Sequence, residues 1–250
     1  MNMKGEVTKI LHIMEGTDKI LKIPVYQRNY DWLIDNVQKL IEDLEMIAKT
    51  GVRSHFFGSV VTQQEDDREV IVIDGQQRLT TLSLILVAMK QLLDINPEDD
   101  VQSELIYETY LINRWDKTGN RKYKLQSIHR DKNAYEKLFS ADPSNYYHPS
   151  NITTNYEYIF NSIEKSAVSV SDLFHAVEKL EVMQLNVQAD DDAQLIFESI
   201  NSTGLDLTDA DKVRNLLLMN ENYEKQVEYF ETYWEPIEKH TNFNVPTLLW

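Results

Sequence analysis

Apolar positions recur at helical spacing along most of the chain and at strand spacing only in short runs. Leu33 to Lys49 sets Val37, Leu40, Ile41, Leu44 and Ile47 on one face, which predicts an amphipathic helix. Leu79 to Ile95 is strongly apolar and predicts a helix with a core face, closed by Asn96-Pro97. Val7, Ile10, Leu11 and Met14 predict a short helix over Val7–Met14, ended by Glu15-Gly16. Strands are predicted at Lys19–Ile23, stopped by Pro24, and at Phe56–Thr62 and Glu69–Ile73, the latter two a hairpin around the polar turn Gln63–Arg68. Beyond Pro97 the spacing predicts helices over Val101–Ile112, Asp131–Phe139, Ile152–Lys165, Ser171–Leu180, Asp191–Ile200, Thr208–Asn220 and Glu221–Glu235, the last ended at Pro236, with one strand at Glu181–Val187. Thr208 and Asp211 fit a capping box with Asp in place of the usual Glu. The change from strand-rich to helix-rich sequence near Pro97 divides the chain into residues 1–97 and 98–250. The expected class is α+β, a small mixed sheet with helices followed by a mainly helical part.

Composition narrows the function. With 42% hydrophobic and 26% charged residues, the 250-residue chain reads as an ordinary globular protein. It has no cysteine, which excludes disulfides, Cys-ligated zinc, iron–sulfur clusters and thiol nucleophiles, and fits a cytoplasmic setting. No apolar run approaches the roughly 18 residues needed to span a bilayer. Against 25 Lys and Arg stand 41 Asp and Glu, a net charge of −16. A domain whose main task is gripping DNA phosphates leans the other way, because phosphate neutralisation supplies most non-specific affinity. DNA is therefore expected to be engaged locally or through another domain or subunit.

Three segments carry candidate chemistry. In Val70-Ile71-Val72-Ile73-Asp74-Gly75-Gln76-Gln77-Arg78-Leu79 an apolar strand runs into a glycine turn and a helix begins at once. Free N–H groups and the macrodipole make a helix start favourable for an anion, Gly75 allows close backbone approach, and Arg78 can offer a bidentate guanidinium to a phosphate. The string is neither a Walker loop nor a GxGxxG fingerprint. The alternative is that Asp74 is a helix N-cap and Arg78 its surface partner; against it, Gln76 and Gln77 beside a core need hydrogen-bond partners. In Ile23-Pro24-Val25-Tyr26-Gln27-Arg28-Asn29-Tyr30-Asp31-Trp32, Arg28 is a second cation, and Tyr26, Tyr30 and Trp32 offer flat rings for a base, unless Trp32 belongs to the core. In Phe197-Glu198-Ser199-Ile200-Asn201-Ser202-Thr203-Gly204, followed by Asp211, Arg214 and Asn215, the last three share one helix face. There a cap with a helix salt bridge explains the residues as well as a site does.

Together these segments resemble the N-terminal domain of GmrSD-type, modification-dependent restriction endonucleases and related phage-defence proteins. The family is marked by I-P-x-Y-Q-R-x-Y-x-W, D-G-Q-Q-R-L-T-T-L and F-x-x-I-N-x-T-G-x-x-L-x-x-x-D, found here in order at Ile23–Trp32, Asp74–Leu82 and Phe197–Asp211. His55-Phe56-Phe57-Gly58-Ser59-Val60 also looks like the family's segment before the middle motif. The resemblance implies a ParB/sulfiredoxin-like N-terminal part followed by helices, and binding and hydrolysis of a nucleoside triphosphate that regulates a nuclease domain further along. Carried over by position, it puts Asp74, Gly75, Gln77 and Arg78 at the nucleotide, with Gln27 and Arg28 opposite; Tyr26 and Gln76 complete the candidate nucleotide-binding set. In that arrangement Asp74 would hold Mg²⁺ or orient water, Gln77 would position the water, and Arg28 and Arg78 would clamp phosphates. Asn201, Thr203, Gly204, Asp211, Arg214 and Asn215 form a second candidate cluster. Sulfiredoxin chemistry does not transfer, because it needs a cysteine. The HNH nuclease half is missing from this sequence, so a fragment of a longer protein is expected.

Other signals are weaker. Arg114, Lys117, Arg121, Lys122, Lys124, Arg130 and Lys132 form a basic run with Trp115 and Tyr123 interleaved, read chiefly as solvated charge and otherwise as a nucleic-acid patch. The six histidines form no spaced metal-ligand pair, and Asp190-Asp191-Asp192 reads as a helix N-terminus. Two rival functions stand beside nucleotide binding. One is a ParB-like nuclease acting directly on DNA; the other is a non-catalytic module that senses modified DNA or a partner subunit.

Overall fold

The computed structural model of the chain describes residues 4–116, 121–127, 129–140, 142–188, 196, 208–219, 221 and 223–241. A six-stranded mixed sheet organises them, in the order β1-β6-β3-β4-β2-β5. The strands are β1 (Lys4–Lys9), β2 (Ile20–Lys22), β3 (His55–Gln64), β4 (Glu69–Asp74), β5 (Leu125–Gln126) and β6 (Leu180–Val187). β3 and β4 form the expected antiparallel hairpin, with a bulge between Val61 and Thr62. β6 lies parallel to β3, and β2 lies parallel to both β4 and β5. Strands from both sides of Pro97 therefore share one sheet. The fold is α+β.

Alternation along the hairpin covers both faces of the sheet. Val60, Val70 and Val72 join the main core, while Val61 and Ile73 face a smaller cluster with Val187 and Ile196. The main core is built around α3 (Gln76–Ile95), whose residues from Leu79 to Met89 are all buried. α2 (Ile34–Thr50) packs its Val37, Leu40, Ile41, Leu44 and Ile47 stripe into the same core and stops at Gly51, whose φ of +67° closes the helix in the left-handed region. Burying each such Leu, Ile or Val side chain contributes about 1.5–3 kcal/mol. Further along run α4 (Ser103–Ile106), α5 (His129–Lys137), α6 (Asn151–Lys165) and α7 (Val170–Val177). α8 (Asp209–Leu218), α9 (Tyr223–Tyr229) and α10 (Glu235–His240) follow. The Thr208–Asp211 capping box opens α8 as expected. No helix among the described residues is long and apolar enough to cross a membrane.

Three expectations about elements need correction. The helix expected over Val7–Met14 is a strand to Lys9 and a helix, α1 (Ile10–Met14), only from Ile10. Val7 is 57% exposed while Ile10, Leu11, Ile13 and Met14 are buried, so pairing of β1 with β6 overrides the helical spacing. Val101–Ile112 is an α-helix only over Ser103–Ile106 and continues as a π-turn, Tyr107–Leu111. Pro236 does not end a helix. After a second π-turn, Phe230–Trp234, it sits in the first turn of α10, where its missing N–H breaks no intrahelical bond. The helix expected over Asp191–Ile200, and with it Asp190, lies outside the described residues except for Ile196, which is helical and buried.

Candidate functional site

β4 ends at Asp74, and the chain turns into α3 through Gly75, which occupies the N-cap with φ +94°. A Cβ there would lie 3.0 Å from Val60 Cγ2 and 3.2 Å from Ser59 O, so both the left-handed backbone and the close approach to β3 require glycine. Asp74 is thus not the N-cap; its carboxylate accepts the Gly75 N–H. Gly75 supplies no side-chain cap, and the α3 start presents its first-turn N–H groups beside Arg78. Gly58 on β3, with φ +114°, forms a shelf beneath Arg78. A Cβ at Gly58 would stand 2.8 Å from Arg78 Nε and 3.0 Å from Cζ. Arg78 Nη1 donates to Ser59 O at 3.1 Å.

Glutamines join the first two motifs. Gln27 Nε2 donates to Ile73 O at 2.6 Å, and Gln76 Nε2 donates to Arg28 O at 3.1 Å. Gln77 Nε2 donates to Asn29 O at 3.1 Å, while its Oε1 accepts the N–H groups of Asp31 and Trp32 at 3.0 and 3.3 Å. All three side chains are buried, so these bonds satisfy polar groups that would otherwise be costly there. The water-positioning role expected of Gln77 finds its amide already committed, at both ends, to the 29–32 backbone. Tyr30 extends the clasp: its hydroxyl meets Thr81 Oγ1 at 2.7 Å, and its N–H donates to Asp131 Oδ2 at 2.7 Å. Trp32 is partly buried and packs edge-on against Phe57.

The third motif reaches the same loop through α8. Arg214, 7% exposed, donates Nε to Tyr26 O at 2.8 Å, Nη1 to Glu238 at 2.9 Å and Nη2 to Asp211 at 2.6 Å. Asn215 is buried beside it. Tyr26 belongs to a small apolar cluster with Ala210, Leu218, Phe230 and Trp234, and burial pushes its hydroxyl pKa strongly upward. Its ring is therefore closed off and is no open platform for a base. Asn201, Thr203 and Gly204 lie outside the described residues.

Beside the clasp, Arg28, Asp31, Asp74 and Arg78 set alternating charges against one another. Arg28 Nε lies 3.7 Å from Asp31 Oδ2, with about a third of its side chain exposed. Burial raises the Asp74 carboxyl above the ordinary aspartate value, opposed by Arg78, the Gly75 N–H and Arg28. Asp31 is also raised, first by desolvation, then through a balance of Arg28, Asp211 and Arg214. Two cations from separate segments thus flank one desolvated carboxyl at a helix start, an arrangement suited to a polyanion, alone or with a divalent cation. Asp31, Gly58 and Ser59 stood inside the quoted motifs without an assigned role. The backbone geometry that gives them one has no signature in residue type.

The basic run is not a continuous patch. Lys124 is 1% exposed, Arg114 pairs with Glu108 and Arg121 with Glu69, and Tyr123 stacks on Phe139. Trp115 is 77% exposed; Lys117 and the Arg130 side chain lie outside the described residues. Among the described residues, no three His, Asp or Glu side chains are grouped to hold a metal.

Fold and site together define an α+β protein in which a strand–glycine–helix turn and two distant motifs meet around one loop. The sequence model of the family described as "GmrSD restriction endonuclease, N-terminal domain" matches residues 10–218. The chain belongs to that family, and so to the restriction and phage-defence proteins. No curated protein sequence matches it.

Proposed function

We propose that the cluster of Arg28, Asp74 and Arg78 binds the phosphates of a nucleoside triphosphate with Mg²⁺, and that binding and slow hydrolysis regulate restriction carried out elsewhere in the protein, in the cytoplasm. The observation that carries this reading is that Gln76, in the first turn of α3, bonds the backbone of Arg28, so that Arg28 and Arg78 both stand at an α3 start with no side-chain cap. Arg28 and Arg78 hold phosphate oxygens, Gly75 lets the α3 N–H groups approach them, and Asp74 is the protein's carboxylate for the metal. One carboxylate fits Mg²⁺, which takes one or two such ligands and completes its shell with phosphate oxygens and water. When bound, the metal supplies charge stabilisation to the transferring phosphoryl group. Gln76 and Gln77 act by holding the loop that carries Arg28. DNA is engaged through another domain or subunit, in keeping with the net charge of −16.

Calorimetric titration of the four common nucleoside triphosphates, with and without Mg²⁺, tests this. Arg28→Ala and Arg78→Ala should each weaken binding about ten- to a hundredfold, the loss of one charge-assisted contact. Melting curves accompany them, because Arg78 also holds Ser59 O. Wild-type affinity in both variants contradicts the assignment. A non-catalytic interaction module is the second reading. It is favoured by Gln77, whose amide is engaged at both ends within the chain, and no measurable binding of any triphosphate would support it.

A further inference from the structure

We propose that the cavity beside the Arg28–Asp31 pair takes the ribonucleoside half of a ribonucleoside triphosphate, with the ribose at Asp31 and the base between Tyr147 and the amides of Asn133 and Asn151. This rests on reading Arg28 and Arg78 as the phosphate contacts. The cavity encloses about 410 Å³, within the roughly 300–1,000 Å³ typical of small-molecule sites. Its lining brings together segments distant in sequence: the motif loop, α5 and the start of α6.

The chemistry is zoned. Asp31 and Asp131 line the cavity, and carboxylates repel phosphate but accept hydroxyl and N–H donors. Arg28 stands 3.7 Å from Asp31. A ligand with its phosphates at Arg28 and Arg78 therefore meets Asp31 next, and in a nucleotide the group next to the phosphates is the ribose. Carboxylate recognition of ribose hydroxyls is a recurring solution in nucleotide sites. Farther along, Asn133 and Asn151 carry both donor and acceptor atoms, as the edge of a base does. Asn151 Nδ2 donates to Tyr30 O at 3.3 Å, so its Oδ1 is the atom available to accept. Tyr147, 39% exposed, supplies an aromatic ring for stacking, with Lys137 Nζ 5.7 Å from its centroid. Gln77 bonds the backbone of Asn29 and Asp31, both cavity residues, so the phosphate cluster and the cavity share one braced loop.

The experiment titrates the protein and its Asn133→Ala variant with the four ribonucleoside triphosphates, their 2′-deoxy counterparts and inorganic triphosphate. Asn133 is exposed on α5, so the variant should fold. The best ribonucleotide should bind about tenfold tighter than its 2′-deoxy form, one hydrogen bond to a charged group. Asn133→Ala should weaken nucleotide binding severalfold and leave inorganic triphosphate binding within twofold of wild type. Equal affinity for ribo and deoxy forms together with an indifferent Asn133→Ala overturns the cavity assignment while leaving the phosphate site standing. Failure of every triphosphate, inorganic included, to bind overturns the phosphate reading and the cavity with it.

Discussion

Burial lifts the Asp74 carboxyl above the ordinary aspartate range even though Arg28 and Arg78 both pull it down. A group whose folded-state pKa is raised contributes stability that is fully present below its unfolded value, about 3.9 for aspartate, and is lost as pH rises through the folded value. Ionising Asp74 as the pH rises is therefore a net cost to the fold. Asp74→Asn should raise the melting temperature near neutral pH, and that gain should fade as the pH falls below about 4. The same substitution should weaken Mg²⁺-dependent triphosphate binding, since it removes the carboxylate proposed to hold the metal. Scanning calorimetry across pH, paired with titration of nucleotide, checks both halves. A variant less stable at neutral pH would show that Asp74 is a structural ion-pair member. Residue type alone revealed that Gln76 and Gln77 needed partners. It did not reveal which, because the partners are backbone atoms 45 to 48 positions away along the chain, brought near only by the fold.

At the scale of elements, Lys124 is the clearest case of a residue whose role follows from packing. It sits beside β5 with its ammonium among the carbonyls of Met14, Gly16 and Thr109, tying the end of the first helix to the π-turn. Desolvation, reinforced by the nearby Lys19 charge, lowers its pKa to about 8. A depressed folded-state pKa contributes stability present above the unfolded value, about 10.4, and lost as pH falls through the folded one. Wild type should therefore gain stability between pH about 8 and about 10 relative to Lys124→Met, measured as the difference in urea midpoints across that window. Parallel profiles would mean that the amine keeps its ordinary pKa. In the sequence this lysine read as one of a basic run, because nothing local distinguishes a buried ammonium from a solvated one. The long elements were legible, since α2, α3, α6 and the hairpin owe their spacing to the same core that buries them. β1 was not: its partner, β6, lies more than 170 residues on, and no local pattern encodes that pairing.

The whole molecule is acidic, with a net charge of −16, and belongs to a family defined by restriction. An acidic surface slows productive encounter with a duplex. The purified chain is accordingly expected to leave modified and unmodified plasmid intact with Mg²⁺ or Mn²⁺ and each triphosphate. Nicking that disappears in Asp74→Ala would instead promote direct nuclease action. The family was legible, because three motifs stand out in the sequence, and the glutamine bonds that join the first two give their polar residues a common place in the fold. The division of labour among their residues was not, since bracing glutamines and contact arginines look alike until their hydrogen bonds are drawn. The central claim, that a nucleoside triphosphate binds where β4 turns into α3, is tested most directly by amide hydrogen exchange with and without Mg²⁺ and triphosphate. Increased protection is predicted at the amides of Gln76, Gln77 and Arg78 and along the Arg28–Asp31 loop. Unchanged exchange there at saturating nucleotide, or protection confined to another part of the molecule, would contradict the account.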